Sequence, residues 1–152
     1  MVDSASLADS NDAGSLKDTC SYLHDVLLYL QRRKTRKGSR KKSDVCLLIA
    51  ANKQDLFQAL PEGAVKQRLE NGIERMRQSQ RSGLHDVGDD RDYEDTDNVL
   101  LEGIAKEGQP FTFQHFEDEC GIQVKVLGGA TRDDEEMGRG TDKWTSWIGS
   151  NL

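Results

Sequence analysis

No stretch of this 152-residue chain approaches the ~18–20 consecutive apolar residues of a membrane span. Its first residues lack the basic-then-apolar pattern of a signal peptide. Cysteine is scarce. Cys20, Cys46 and Cys120 are odd in number, far apart and without a CxxC, which argues against a disulfide framework or a zinc site. His24, His85 and His115 form no ligand cluster by spacing, and each reads as structural or exposed. Apolar residues make up only 35% of the chain against 32% charged, a balance that implies solvated loops around a modest core. The net charge of -6 argues against a generic nucleic-acid binder and gives no reason to expect specific DNA binding.

What is present alternates. Val2-Asp3-Ser4-Ala5 reads as the end of a strand running into a polar turn. Met1 would then stand in mid-strand, so a truncated reading frame is expected. Leu16, Cys20, Leu23, Leu27 and Leu30 recur at spacings of three and four, predicting a helix over 15–33. Residues 32–42 carry eight Lys or Arg among eleven, so 32–43 is expected as a basic loop. The apolar run over 44–51 is continuous, as in a central parallel strand covered on both faces. Pro61 suits the first turn of a second helix over 62–80, with Val65, Leu69, Ile73 and Met76 as its stripe. Residues 82–109 are acidic and are expected as a disordered insertion. Phe111-Thr112-Phe113 reads as a short strand or extended segment. Ile122 to Leu127 alternates like a strand at the sheet edge, and Thr141 is expected to cap a last helix in which Trp144, Trp147 and Ile148 share a face. This alternation predicts an α/β fold, a mostly parallel sheet with flanking helices.

Asn52-Lys53-Gln54-Asp55 directly follows the apolar strand. Ligands of open α/β sheets bind at the carboxyl ends of strands, and this tetrapeptide sits at one. A carboxylate there accepts two parallel N–H bonds from N1 and N2 of guanine, a donor pair that adenine lacks. In this reading Asp55 selects the base, Asn52 braces the loop and Lys53 lays its alkyl stem on the ring. Gln54 points elsewhere and is the least constrained. The bland alternative is a polar turn in which Asp55 caps the next helix.

The surrounding residues carry a family resemblance. LLIAANKQDLFQALP, VKQRLENGIERMRQSQRSGL and FTFQHFEDECGIQVKVLGGATR with WTSWI resemble the beta subunit of the signal recognition particle receptor, and less closely Arf-type and Sar-type GTPases. The resemblance implies the C-terminal part of a Ras-like P-loop GTPase domain, with residues 1–152 an incomplete G domain. It implies GTP as ligand, with Mg2+ only in a full-length domain. It also implies co-translational targeting at the cytosolic face of the endoplasmic reticulum membrane. The implied partners are the receptor alpha subunit, the ribosome or translocon, and the membrane through an N-terminal span. By motif, Asn52, Lys53 and Asp55 are carried over as guanine-binding. Ala130 is the one match to the family's Ser-Ala-Lys loop, and its backbone N–H is expected to meet the guanine carbonyl.

The sequence departs from the family in one respect that bears on chemistry. It contains no G-x-x-x-x-G-K-[ST] loop to cradle phosphates, and the switch regions are missing. Asp118-Glu119-Cys120-Gly121 is a D-x-x-G in the wrong order for a γ-phosphate contact. GTP hydrolysis is therefore not expected of these residues. A non-enzymatic interaction module on a degenerate G-domain scaffold, or an Arf/Sar-like trafficking GTPase fragment, are the alternatives.

Overall fold

The structure is a computed structural model that describes residues 1–8, 13–36, 45–85, 109–131 and 140–151. Strands β1 (Val2–Asp3), β2 (Cys46–Asn52) and β3 (Gln123–Gly128) form a parallel sheet in the order β1-β2-β3. Val2 pairs with Ala51 and Asp3 with Asn52, while Cys46 pairs with Gln123 and Ala51 with Gly128. This register brings the carboxyl ends of all three strands level. Parallel neighbours need a crossover. Helix α1 (Ala13–Arg36) makes the first, and α2 (Glu62–His85) and α3 (Phe113–Cys120) lie on the second. Helix α4 (Asp142–Ser150) follows β3.

The core lies on one face of the sheet. Ile49, Ala51, Val124 and Val126 meet Cys20, Leu23 and Leu27 of α1 and Val65, Leu69 and Ile73 of α2, with Leu47 and Val2 packed alongside. The helical stripes are thus the ones the spacing predicts. Gly72 lets α1 and α2 approach closely, since a Cβ there would sit 2.3 Å from Cys20 Sγ. The expectation that β2 is covered on both faces is corrected. From Leu48 on, half-buried and buried residues alternate, and Cys46, Leu48 and Ala50 are only half-buried because the described helices α1 and α2 pack over the opposite row. Strand β3 alternates as expected, with Gln123 and Lys125 exposed.

Two elements differ from the sequence reading. Helix α1 runs on through Arg36, so the first residues of the basic run are helical, and Lys34 Nζ donates to Gly121 O at 2.9 Å. The rest of that run, 37–43, lies outside the described residues, as do 86–108 of the acidic stretch, whereas 82–85 continue α2. The segment around Phe111–Phe113 is not a strand. Thr112 is extended and its hydroxyl accepts from the His115 N–H at 3.0 Å, capping α3, while Gly121 closes that helix with φ 59°. Carboxylates of α2 supply the rest: Glu74 accepts from Phe111 N at 2.9 Å and Glu70 from Phe113 N at 2.8 Å. Buried Arg77 pairs with the same Glu74 at 3.0 Å and lies 5.9 Å from the Phe111 ring centroid. The D-x-x-G sequence is therefore the end of α3 and its glycine cap.

Cys20 and Cys120 are buried and Cys46 half-buried, and none of the three forms a disulfide. Burial pushes the Cys120 thiol up to about 11, so it stays protonated and unreactive at neutral pH. No described helix is long and apolar enough to cross a membrane.

The end of β3 is fastened by α4 and the first turn of α2. Trp144 Nε1 donates to Leu127 O at 2.9 Å, and Glu62 Oε1 accepts from Gly128 N at 2.9 Å and from Lys143 Nζ at 2.8 Å. Of the three residues expected on one face of α4, Trp144 is buried, Trp147 half-buried and Ile148 exposed. Thr141 caps through its backbone carbonyl, with no side-chain cap bond. A Cβ on Gly129 would lie 2.7 Å from Gly140 O and 2.8 Å from the Trp144 ring.

Two expected outcomes follow from this clamp. Gly129→Ala drives a carbon into backbone and a buried ring, and should cost about 1–3 kcal/mol in urea unfolding. An unchanged midpoint would contradict the packing described. The Glu62 carboxyl is held below its ordinary 4.5, chiefly by the Lys143 hydrogen bond, against opposing burial and with help from Gly128 N–H. A lowered carboxyl stabilises the fold above its ordinary value, and that contribution is lost as pH falls through the lowered one. Stability of the wild type and of Glu62→Gln, followed by thermal melts, should therefore differ by a constant gap above about pH 4.5 and converge as the pH falls below it. Parallel curves throughout would show that Glu62 is not coupled to folding.

Candidate functional site

Asp3, Asn52 and Gly129 leave the sheet side by side, because the strands are parallel and in register. Past β2 the chain turns sharply at Lys53, whose φ of 66° puts a non-glycine residue in the left-handed region. The turn is held from both sides. Gln54 N donates to Gly129 O at 3.1 Å, Gly129 N to Ala51 O at 3.0 Å, and Leu60 N to Ser4 O at 3.1 Å. Inside the loop Leu56 N bonds Lys53 O at 3.1 Å and Ala59 N bonds Leu56 O at 2.9 Å.

Each side chain of the tetrapeptide has a distinct place. The Asn52 amide grips the third loop through a single residue: Oδ1 accepts from Thr131 N at 3.0 Å, and Nδ2 donates to Thr131 Oγ1 at 3.3 Å. Lys53 Nζ reaches Asp3 Oδ2 at 2.6 Å. The other oxygen of Asp3 accepts from Ala5 N at 3.0 Å and Ser6 N at 3.2 Å. Burial alone would raise the Asp3 carboxyl, but the hydrogen bonds from Lys53, Ser6 and Ala5 outweigh it and hold the group below its ordinary value. Gln54 is not the least constrained residue, as the sequence suggested. Its Nε2 donates to Ser4 Oγ at 2.8 Å and to Leu60 O at 2.7 Å, closing the loop on a buried serine whose own hydroxyl donates to Asn52 O. Asp55 is half-buried, and among the described residues no hydrogen bond or ion pair engages its carboxylate.

Ala130 is buried beside them, and its N–H is donated to Gly140 O at 3.1 Å. A ligand oxygen that took this N–H would displace that carbonyl. Of the four residues singled out by sequence, the structure gathers Asn52, Lys53, Asp55 and Ala130 at one end of the sheet. It adds four to which sequence reasoning gave no role in the site: Asp3, Ser4, Gln54 and Thr131. The signal for Asp3 and Ser4 lay in their position, since polar residues at the end of one parallel strand stand next to those ending its neighbour. Among the described residues the arrangement offers an acceptor carboxylate at Asp55 that no protein group engages, a lysine paired to Asp3 and a braced loop, groups that suit a ligand with adjacent N–H donors.

The family model described as signal recognition particle receptor beta subunit matches residues 1–120. The GDP- and Mg-bound SRb structure from Chaetomium thermophilum is 38% identical over all of this chain and 59% of that one, with a TM-score of 0.77. The GDP-bound SRb structure from the same organism is 38% identical over 62% of its own length, with a TM-score of 0.78. The SRb-GTP/SRX complex is 36% identical over 48% of that chain, with a TM-score of 0.77. The chain thus spans less than two thirds of the solved structures it matches. No curated protein matches it. The parallel sheet and its helices are those of part of a Ras-like GTPase fold, and by sequence and fold together the chain belongs to the signal recognition particle receptor beta subunit family.

Proposed function

We propose that this chain reads the guanine base of GTP or GDP as part of a signal recognition particle receptor beta subunit. The observation that carries the reading is the division of labour in the loop after β2. Asn52, Lys53 and Gln54 are all engaged by protein groups, and the Asp55 carboxylate is left for a ligand. In that role Asp55 accepts from N1 and N2 of the base, Asn52 holds the two loops together, Lys53 presents its alkyl stem, and Ala130 N–H is the donor to the base carbonyl. The neighbours solved with GDP or GTP support the choice of nucleotide. Mg2+ would accompany the phosphates, and none of these residues is assigned to it.

The wider role we propose follows from the family. The chain acts in co-translational protein targeting at the cytosolic face of the endoplasmic reticulum membrane. Its partner there is the receptor alpha subunit, with ribosome and translocon as the further assembly. In this reading 1–152 is a partial G domain, 32–43 a basic segment and 82–109 an acidic insertion.

Two measurements test the base site. Asp55→Asn exchanges a carboxylate oxygen for an amide donor, which mismatches the guanine 2-amino group and suits the 2-oxo group of xanthine. In NMR titrations of the 152-residue chain, GMP affinity should fall by at least about tenfold, the worth of one charge-assisted contact. Xanthosine monophosphate should bind the variant better than the wild type. Equal GMP binding by both proteins would end the reading. Most of the affinity for a nucleoside triphosphate in this fold comes from phosphate and metal contacts. The isolated chain should therefore bind GTP no tighter than about millimolar and release no phosphate from it. A micromolar constant in calorimetry, or measurable turnover, would contradict this.

A further inference from the structure

The four residues of the loop do not account for Asp3, which is one strand away and 50 residues earlier in the chain. Its carboxylate is divided between two tasks. Oδ1 takes the Ala5 and Ser6 N–H groups and fixes the turn after β1, while Oδ2 takes Lys53 Nζ at 2.6 Å. The carboxylate is thus anchored by backbone on one side and offers the lysine a stationary counter-charge on the other. Lys53 is anchored at its other end by the left-handed turn, with φ 66°, and by the bond from Leu56 N to its carbonyl. A lysine side chain is otherwise among the most mobile in a protein, and holding one still costs about 1.5–2 kcal/mol of rotamer entropy. Both ends of this one are held before any ligand arrives.

We infer that Asp3 is a positioning residue for base recognition. By holding the Lys53 ammonium over the end of β1, it lays the methylene stem out as a ready apolar surface for one face of the purine. The inference rests on the base-site reading above and adds a residue to it. The ammonium so held is kept off the base edge, where it would compete with the donors that Asp55 accepts. The pair is half-exposed at both ends, so its worth is that of a surface ion pair and its effect on binding is modest.

The test is a double-mutant cycle read by GMP titration of the full 152-residue chain. Asp3→Asn keeps an oxygen for the Ala5 and Ser6 N–H groups, so the turn survives, and amide shifts away from the loop report whether it has. GMP affinity should fall about threefold to fivefold, as expected for a surface pair. The upfield ring-current shift that GMP induces in the Lys53 methylene protons should shrink with it. Lys53→Met keeps the stem and removes the charge. In that background Asp3→Asn should change GMP affinity no further. Undiminished affinity and ring-current shift in Asp3→Asn would overturn the inference, as would an equal effect of Asp3→Asn with and without the Lys53 charge. Either result leaves the base site standing if Asp55→Asn still abolishes GMP preference. Loss of that control takes both readings down.

Discussion

The register of β2 between two parallel neighbours is the constraint on which this end of the molecule depends. A one-residue slip would exchange Leu47, Ile49 and Ala51 for Cys46, Leu48 and Ala50 on the core face. It would also move Asn52 out of line with Asp3 and with the loop that begins at Gly129. The core enforces the register because it is one-sided. Ile49 and Ala51 are in van der Waals contact with the helices, while their neighbours in the strand remain half-buried. Packing at one end of the strand thus fixes chemistry at the other, a link from apolar pattern to site geometry that runs through only seven residues.

The turn at Lys53 shows which effects are large enough to matter. A left-handed backbone at a residue with a Cβ costs roughly 1–2 kcal/mol. The ion pair to Asp3, exposed on both sides, returns about 0.2–1 kcal/mol and does not by itself cover that cost. Hydrogen bonds at about 0.5–1.5 kcal/mol each do. Gln54 alone contributes three, one through its backbone N–H and two through its amide nitrogen, and Asn52 adds two more to Thr131. The strained residue persists because residues on either side of it are pinned to two separate loops. This is the over-determination that strained positions at functional sites require.

Three elements were legible from their apolar pattern. Leu16 to Leu30 and Val65 to Met76 repeat at helical spacing, and the unbroken apolar run from Val45 to Ala51 marks a strand. Helix α3 was not legible, since Phe111 and Phe113 are both apolar at a spacing of two and look like a strand. Beside the Thr112 cap, Glu70 and Glu74, contributed by a helix about forty residues earlier in the chain, hold the backbone where it turns helical. Those glutamates and Arg77 are charged positions outside the apolar stripe of α2, yet they are partly or fully buried in the fold. At the site, Asn52, Lys53 and Asp55 were legible as a motif, whereas Thr131, Ser4 and Asp3 acquire their parts only through pairing across strands. Gln54 was misjudged because motif variability was taken for freedom. A position can be free of the ligand and still be held by the protein.

In the base-reading role proposed above, that distinction accounts for how a four-residue turn would be selective. Base recognition needs an acceptor that is fixed in space but not yet satisfied, and these demands oppose each other, since a polar group is usually fixed by satisfying it. Here they are separated among neighbours. Gln54 and Asn52 are satisfied and carry the rigidity, while the half-buried Asp55 carboxylate has no hydrogen bond or ion pair among the described residues. An unpaired carboxylate keeps its water until a ligand replaces it. Replacement is favourable only for a partner presenting two parallel donors, because a ligand with one donor leaves the second oxygen lone pair desolvated and unpaired, at a cost of about 1–3 kcal/mol. In the proposed role, selectivity against adenine would then follow from what the site withholds as much as from what it offers.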